Sequence, residues 1–226
     1  MSDEQRSRPP EAAGAPQAPA SRPDAGAPPG PPPRPPKGTW AGFFWRVFNV
    51  LGRPTAFWQS IRQDELTVGQ VMWPHVVVLV LLRTTAGLFG NLLQHVPVGA
   101  AFGQFATGVV AWMLLVWLFA VVAGSIASVR TARMALQDAL RFAAFGLTPL
   151  FLVGILAVIP FPYVSPIAEL LLMPYTFLVL AQGVAPALGV PADRAPAVVG
   201  MVCGALLVLW TVMPTLADLV LAAVLH

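Results

Sequence analysis

The chain has 226 residues, 57% of them hydrophobic and 10% charged, with a formal net charge of +3 and one cysteine. A soluble domain carries about 25% charged residues, so this balance points to lipid as the solvent. The scattered arginines form no basic stripe of the kind that reads nucleic acid. Cys203 alone excludes an intrachain disulfide and a Cys-based zinc site; it lies in an apolar run and reads as a small packing residue. Arginine outnumbers lysine twelve to one, which with the richness in Ala and Pro suggests a GC-rich bacterial genome.

Residues 1–39 form an arm rich in Pro, Ala and Gly; residues 1–37 hold 12 of the 24 prolines. With so little apolar surface to bury, the arm is expected to be disordered, with polyproline II segments. Pro29-Gly30-Pro31-Pro32-Pro33-Arg34 matches the PxxPxR pattern read by aromatic grooves. Such a match arises easily by chance here, and a spacer or tether is the favoured reading. No apolar h-region precedes residue 38, so insertion is expected to depend on the first span.

Residues 40–65 read as an amphipathic interfacial segment. Trp40, Phe43, Phe44, Val47 and Leu51 recur at helical spacing, whereas Arg46, Asn49 and Arg53 fall on the other side. The aromatics suit a membrane interface and the arginines anionic head groups. Gly52 and Pro54 interrupt the segment, and Phe57, Trp58 and Ile61 make a second short apolar face. Anchoring on the membrane or docking against a bundle would both use these faces.

Residues 66–226 then have room for five spans of roughly 20 apolar residues each. The uncharged stretch from Thr84 to Val129 would extend about 69 Å as one helix, so the chain must turn within it, and His95-Val96-Pro97-Val98-Gly99 is the natural place. The spans are expected at residues 71–93, 105–127, 142–159, 167–188 and 196–220, with Pro74 tolerated in the first turn. The fold class is therefore all-α, a polytopic membrane protein with five transmembrane helices and a disordered arm. Arginines outside the spans stand in the N-terminal region, the 128–141 loop and the 189–195 loop. The positive-inside rule makes that side cytoplasmic, which puts the N-terminus inside and the C-terminus outside a bacterial inner membrane.

Arg83 is the anomaly. A charge near the middle of a span costs about 2.5–3.5 kcal/mol on insertion scales, and one retained there faces the bundle, pairs, or lines a wet path. Its candidate partners are Glu169 and Asp218, both nearer the outer end of their spans, so pairing would require the guanidinium to reach outward; carbonyls freed by proline are the alternative. Pro149, Pro174 and Pro214, with Pro186, are candidate kinks. Gly200xxxGly204, and Gly124 within Ala120xxxGly124xxxSer128, are candidate faces for close helix packing within the chain or between copies.

Signatures of catalysis are missing. His75 and His95 stand about 30 Å apart along one helix and cannot share a metal; there is no HExxH, no P-loop, and no histidine at the depth of Ser125. The residues imply no enzyme, no metal and no cofactor. The expected partners are the lipid bilayer and, beyond it, membrane proteins or a second copy; nucleic acid is not one. Two readings remain: a scaffold or adaptor, or a small transporter or transporter subunit using Arg83 and the kinked spans.

Three landmarks resemble the Yip family (Ypt/Rab-interacting-protein domain), in its bacterial branch. They are Arg53-Pro54-Thr55-Ala56-Phe57-Trp58-Gln59-Ser60-Ile61 before the first span, the approach Ala139-Leu140-Arg141-Phe142-Ala143-Ala144-Phe145-Gly146-Leu147-Thr148-Pro149 into the third with Ile159-Pro160 closing it, and Tyr175 through Gly183 followed by Pro191-Ala192-Asp193-Arg194-Ala195. The resemblance covers about residues 40–222. It implies a five-span helical protein with a cytoplasmic N-terminus; eukaryotic members bind small GTPases and act in vesicle trafficking. Phe145-Gly146-Leu147-Thr148-Pro149 stands where that branch has Asp-Leu-Tyr-Gly-Pro, so GTPase binding is doubtful and no partner-binding residue is carried over.

Overall fold

The computed structural model describes residues 39–61, 66–127, 132–161 and 163–225, without the side chains of residues 132–135, 218, 220, 221, 224 and 225. The expected disorder of the arm and its PxxPxR segment, and the placement of Arg62 and Arg130, fall outside the described residues. Two short helices come first, α1 (Trp40–Gly52) and α2 (Pro54–Ile61). The first span, Val68–Leu93, joins α3 (Val68–Val71), a π-helical turn (Met72–Val76) and α4 (Val77–Leu93). The second is α5 (Val98–Ala127). The third combines α6 (Ala132–Gly146), α7 (Thr148–Val153) and a 3-10 turn (Gly154–Val158); the fourth is α8 (Val164–Leu188) and the fifth α9 (Ala195–Leu225).

The all-α, five-span reading of the composition is borne out: five helical stretches of 23 to 30 residues are long and apolar enough to cross a membrane, and no strand occurs among the described residues. Even 23 residues at 1.5 Å each exceed about 30 Å of hydrocarbon. The bounds shift, each for a local reason. The first span starts at Val68 because Thr67 and Gln70 make a reciprocal capping box there. It then breaks at Trp73, whose backbone is extended (φ −115, ψ 126), so Pro74 stands at an interruption rather than in a first turn. The second span begins at Val98, directly after the His95–Pro97 turn, and absorbs residues 98–104.

The third span begins well before Phe142, so Arg141 lies inside a helix instead of a loop. Its guanidinium donates to the Leu66 carbonyl and stands 3.4 Å from Asp138. This span is the axis of the bundle: 61% of its apolar window is buried, against 22–33% for the other four. Ala139, Ala143 and Ala144 bring the neighbouring helices close, and a Cβ on Gly146 would collide with the Leu180 side chain. In lipid, apolar burial brings no transfer gain, so fitted contact of this kind holds helices together. The helix ladder is interrupted at Leu147, two residues before Pro149. Pro174 and Pro214, by contrast, lie inside uninterrupted α8 and α9.

The two short helices dock on the bundle. Trp58 of α2 is fully buried and donates from Nε1 to the Val179 carbonyl at 2.9 Å, and Thr55 donates to Gln182 at 2.7 Å. Gly183 makes room, since a Cβ there would come within 2.6 Å of the Trp58 ring. The Tyr175 hydroxyl donates to the carbonyl of Leu51 in α1. Phe43, Val47 and Val50 point inward from α1, and so does Arg46, which is 4% exposed. The expectation that Arg46 meets head groups is corrected by helix geometry: positions 43, 46, 47 and 50 share one stripe of the helix.

A candidate polar node inside the bundle

Arg83 reaches from α4 toward the end of the bundle that carries the His95 and Pro160 turns. Its Nη2 lies 2.6 Å from Glu169 Oε1 on α8, and its Nη1 donates to the Leu150 carbonyl at 3.0 Å. The guanidinium plane sits over Trp112 of α5, 3.8 Å from the ring centroid, and Trp112 meets Phe151 edge-on. Both Glu169 oxygens are engaged in turn. Its Oε1 also accepts from Ser165 at 3.0 Å, and its Oε2 accepts from Trp210 Nε1 of α9 at 2.9 Å. All five spans therefore meet at one ion pair.

The local sequence explains this geometry. Gly154 begins the 3-10 turn, and a Cβ at that position would overlap the Arg83 guanidinium. Gly90, two turns further along α4, would likewise strike the Ala157 carbonyl if it carried a Cβ. Two glycines thus let the first and third spans touch along backbone. The Leu150 carbonyl that receives Arg83 also accepts from the Gly154 N–H at the end of α7, so it is a helix-end carbonyl and not one released by proline. With cation and anion in contact and each remaining Glu169 oxygen hydrogen-bonded, the desolvation cost of the pair is offset as far as a buried pair allows.

The residues singled out by the sequence are distributed unevenly. Arg83 and Glu169 come together, although Glu169 lies in the second turn of α8 (Val164–Leu188), near the end of its span. The Asp218 side chain lies outside the described residues. Gly200 and Gly204 face outward, with no atom within 4 Å of an added Cβ. Gly124 is half-buried on α5 beside the buried Ala120 and Ala123, and Ser128 falls outside the described residues. Pro149, Pro174 and Pro214 do not line the node. Trp112, Trp210, Ser165 and Gly154 were missed. Trp112 and Trp210 had a readable signal: a mid-span indole carries an N–H or a ring face that seeks a polar partner.

A second polar contact lies toward the other end. His75 is 1% exposed, packs against Phe43 and Phe145, and meets the Thr148 hydroxyl at 2.9 Å. That hydroxyl also lies 3.4 Å from the Ala144 carbonyl, and the tautomer of His75 sets whether it accepts from Nε2–H or donates to Nε2. Among the described residues no group of three His, Cys, Asp or Glu side chains could hold a metal ion.

The fold and the node define a multi-pass helical membrane protein whose helices contact the bilayer. The model of the Yip1 domain matches residues 48–213, more than half of the chain. The chain belongs to the Yip family, as the three landmarks implied. No curated protein and no solved structure matches it significantly.

Proposed function

We propose that this chain is a non-enzymatic scaffold or adaptor of a bacterial inner membrane, with its N-terminal side in the cytoplasm and the end of α9 outside. Its working surface is the α1–α2 cap together with the preceding arm, and its partners are membrane proteins or a second copy. The supporting observation is the cap itself: Trp58, Tyr175 and Phe43 fasten it to the bundle, while Trp40, Phe44 and Phe48 stay 53–70% exposed. Arg83 is then a pin that holds five helices in register at the end of the bundle away from the cap. A carrier built on Arg83 has less support, because Glu169 neutralises its charge at 2.6 Å and Leu150 and Trp112 hold the guanidinium in place.

The test is crosslinking and mass spectrometry of the protein taken from its native membrane, comparing wild type with the Phe44→Ser/Phe48→Ser double variant. Loss of specific crosslinks at unchanged thermal stability is the expected result. Unchanged crosslinks would remove the cap from the reading. A C-terminal tag reachable only from the cytosol would overturn the orientation.

A further inference from the structure

A cavity of about 170 Å³ lies among the first three spans, with Arg83, Trp112 and Gly154 at its deep end and Asn91 and Gln104 at its shallow end. Gly87 and Gly108 form part of its walls; a Cβ on Gly87 would meet open space, and one on Gly108 would just touch Thr84. Asn91 donates to Gln104 Oε1 at 2.6 Å, and Gln104 is exposed. That pairing leaves Asn91 Oδ1 and the Gln104 side-chain N–H groups available. Arg83 has five N–H donors and donates two in the contacts above. The lining therefore places a few hydrogen-bonding groups among apolar ones such as Leu88 and Phe105, and its one cation is neutralised by Glu169 at 2.6 Å.

These properties decide what can enter. A cavity of this size that offers Arg83, Asn91 and Gln104 as polar partners has room for about five or six waters at some 30 Å³ each. An anion would bring net negative charge beside Glu169 into a poorly screened interior, and a cation would face Arg83; both are costly. An uncharged molecule that donates and accepts hydrogen bonds meets neither penalty. We propose that this cavity is a water-filled, blind vestibule that binds small uncharged hydrogen-bonding solutes, such as amides and polyols, and discriminates against ions through the Arg83–Glu169 pair. The proposal is independent of the scaffold reading, since a vestibule closed at its floor is no path across the membrane.

Thiol labelling in a Cys203→Ala background tests it. Gly87→Cys fits without crowding, because no atom lies within 4 Å of a Cβ there. Ala106→Cys, in the apolar groove between α5 and α9, is the dry control. Only a thiolate reacts, and a thiolate forms only where water reaches it. The probes are a neutral hydroxyethyl methanethiosulfonate and its anionic sulfonatoethyl counterpart, each normalised to its rate with a free thiol.

The neutral reagent is expected to modify Gly87→Cys faster than the anionic one, and neither to modify Ala106→Cys. Adding Glu169→Gln leaves Arg83 unbalanced and should speed the anionic reagent by about tenfold, the steering expected of a cleft of one charge sign. Gly87→Cys as inert as Ala106→Cys would overturn the proposal. So would an anionic reagent that outpaces the neutral one while Glu169 is present, or one that gains nothing from Glu169→Gln. Should the Glu169→Gln protein fail to fold, the two measurements with Glu169 intact decide the matter.

Discussion

The two ends of the bundle hold the same central helix by different means. Toward the His95 and Pro160 turns, the third span is tied by charge: Arg83 crosses to its Leu150 carbonyl and on to Glu169, and Trp210 closes the circle from the fifth span. Toward α1 and α2, it is held by rings, with Phe142 against Trp58 and Phe119, and Phe145 against Phe57 and His75. Rings tolerate small shifts, whereas a buried ion pair loses most of its favourable energy when one partner is removed. The contrast teaches that the charged end sets the helix register and the aromatic end supplies the fitted volume on which the cap rests.

Perturbing one end at a time tests that division. Glu169→Leu leaves Arg83 buried without its anion and should cost about 3–5 kcal/mol, read as a lowered melting temperature in detergent. Replacing both partners, Arg83→Leu with Glu169→Leu, should recover most of that loss; failure to recover would make the node more than a pair. At the aromatic end, Gly183→Val drives a side chain into Trp58 and Phe142 and should cost about 1–3 kcal/mol. Its protease sensitivity should rise first at residues 40–61, the cap. Thr148→Val removes the His75 contact and should cost about 1 kcal/mol, measured the same way. The smallest effect belongs to Gly204→Ala, which meets open space and should stay within about 0.5 kcal/mol of wild type. A larger loss, together with a changed mass in size-exclusion chromatography, would show that this face packs against another copy.

Much of the architecture was legible in the order of residues. Long uncharged stretches set the number of crossings, the Pro97 region marked the turn between the first two, and Arg83 stood out because nothing near it in the chain balances its charge. The short cap was visible as two apolar faces, although reading Arg46 by its charge put it on the wrong face, where the spacing from Phe43 to Val50 turns it inward. The Trp73 and Gly154 breaks were less readable. Each depends on what the backbone meets across the bundle, and periodicity within one segment carries no record of that.

Sequence alone determined that five helices cross a bilayer and that one of them carries a buried cation, because hydrophobicity and charge act through local composition. Only the tertiary structure decided that Glu169 balances that cation, that Trp112, Leu150, Ser165 and Trp210 complete the node, and that the third span is the axis. Apart from Ser165 and Glu169, one helical turn apart, these are contacts between residues 29 to 86 positions apart, and their energies depend on ångström-scale distances that no single helix specifies.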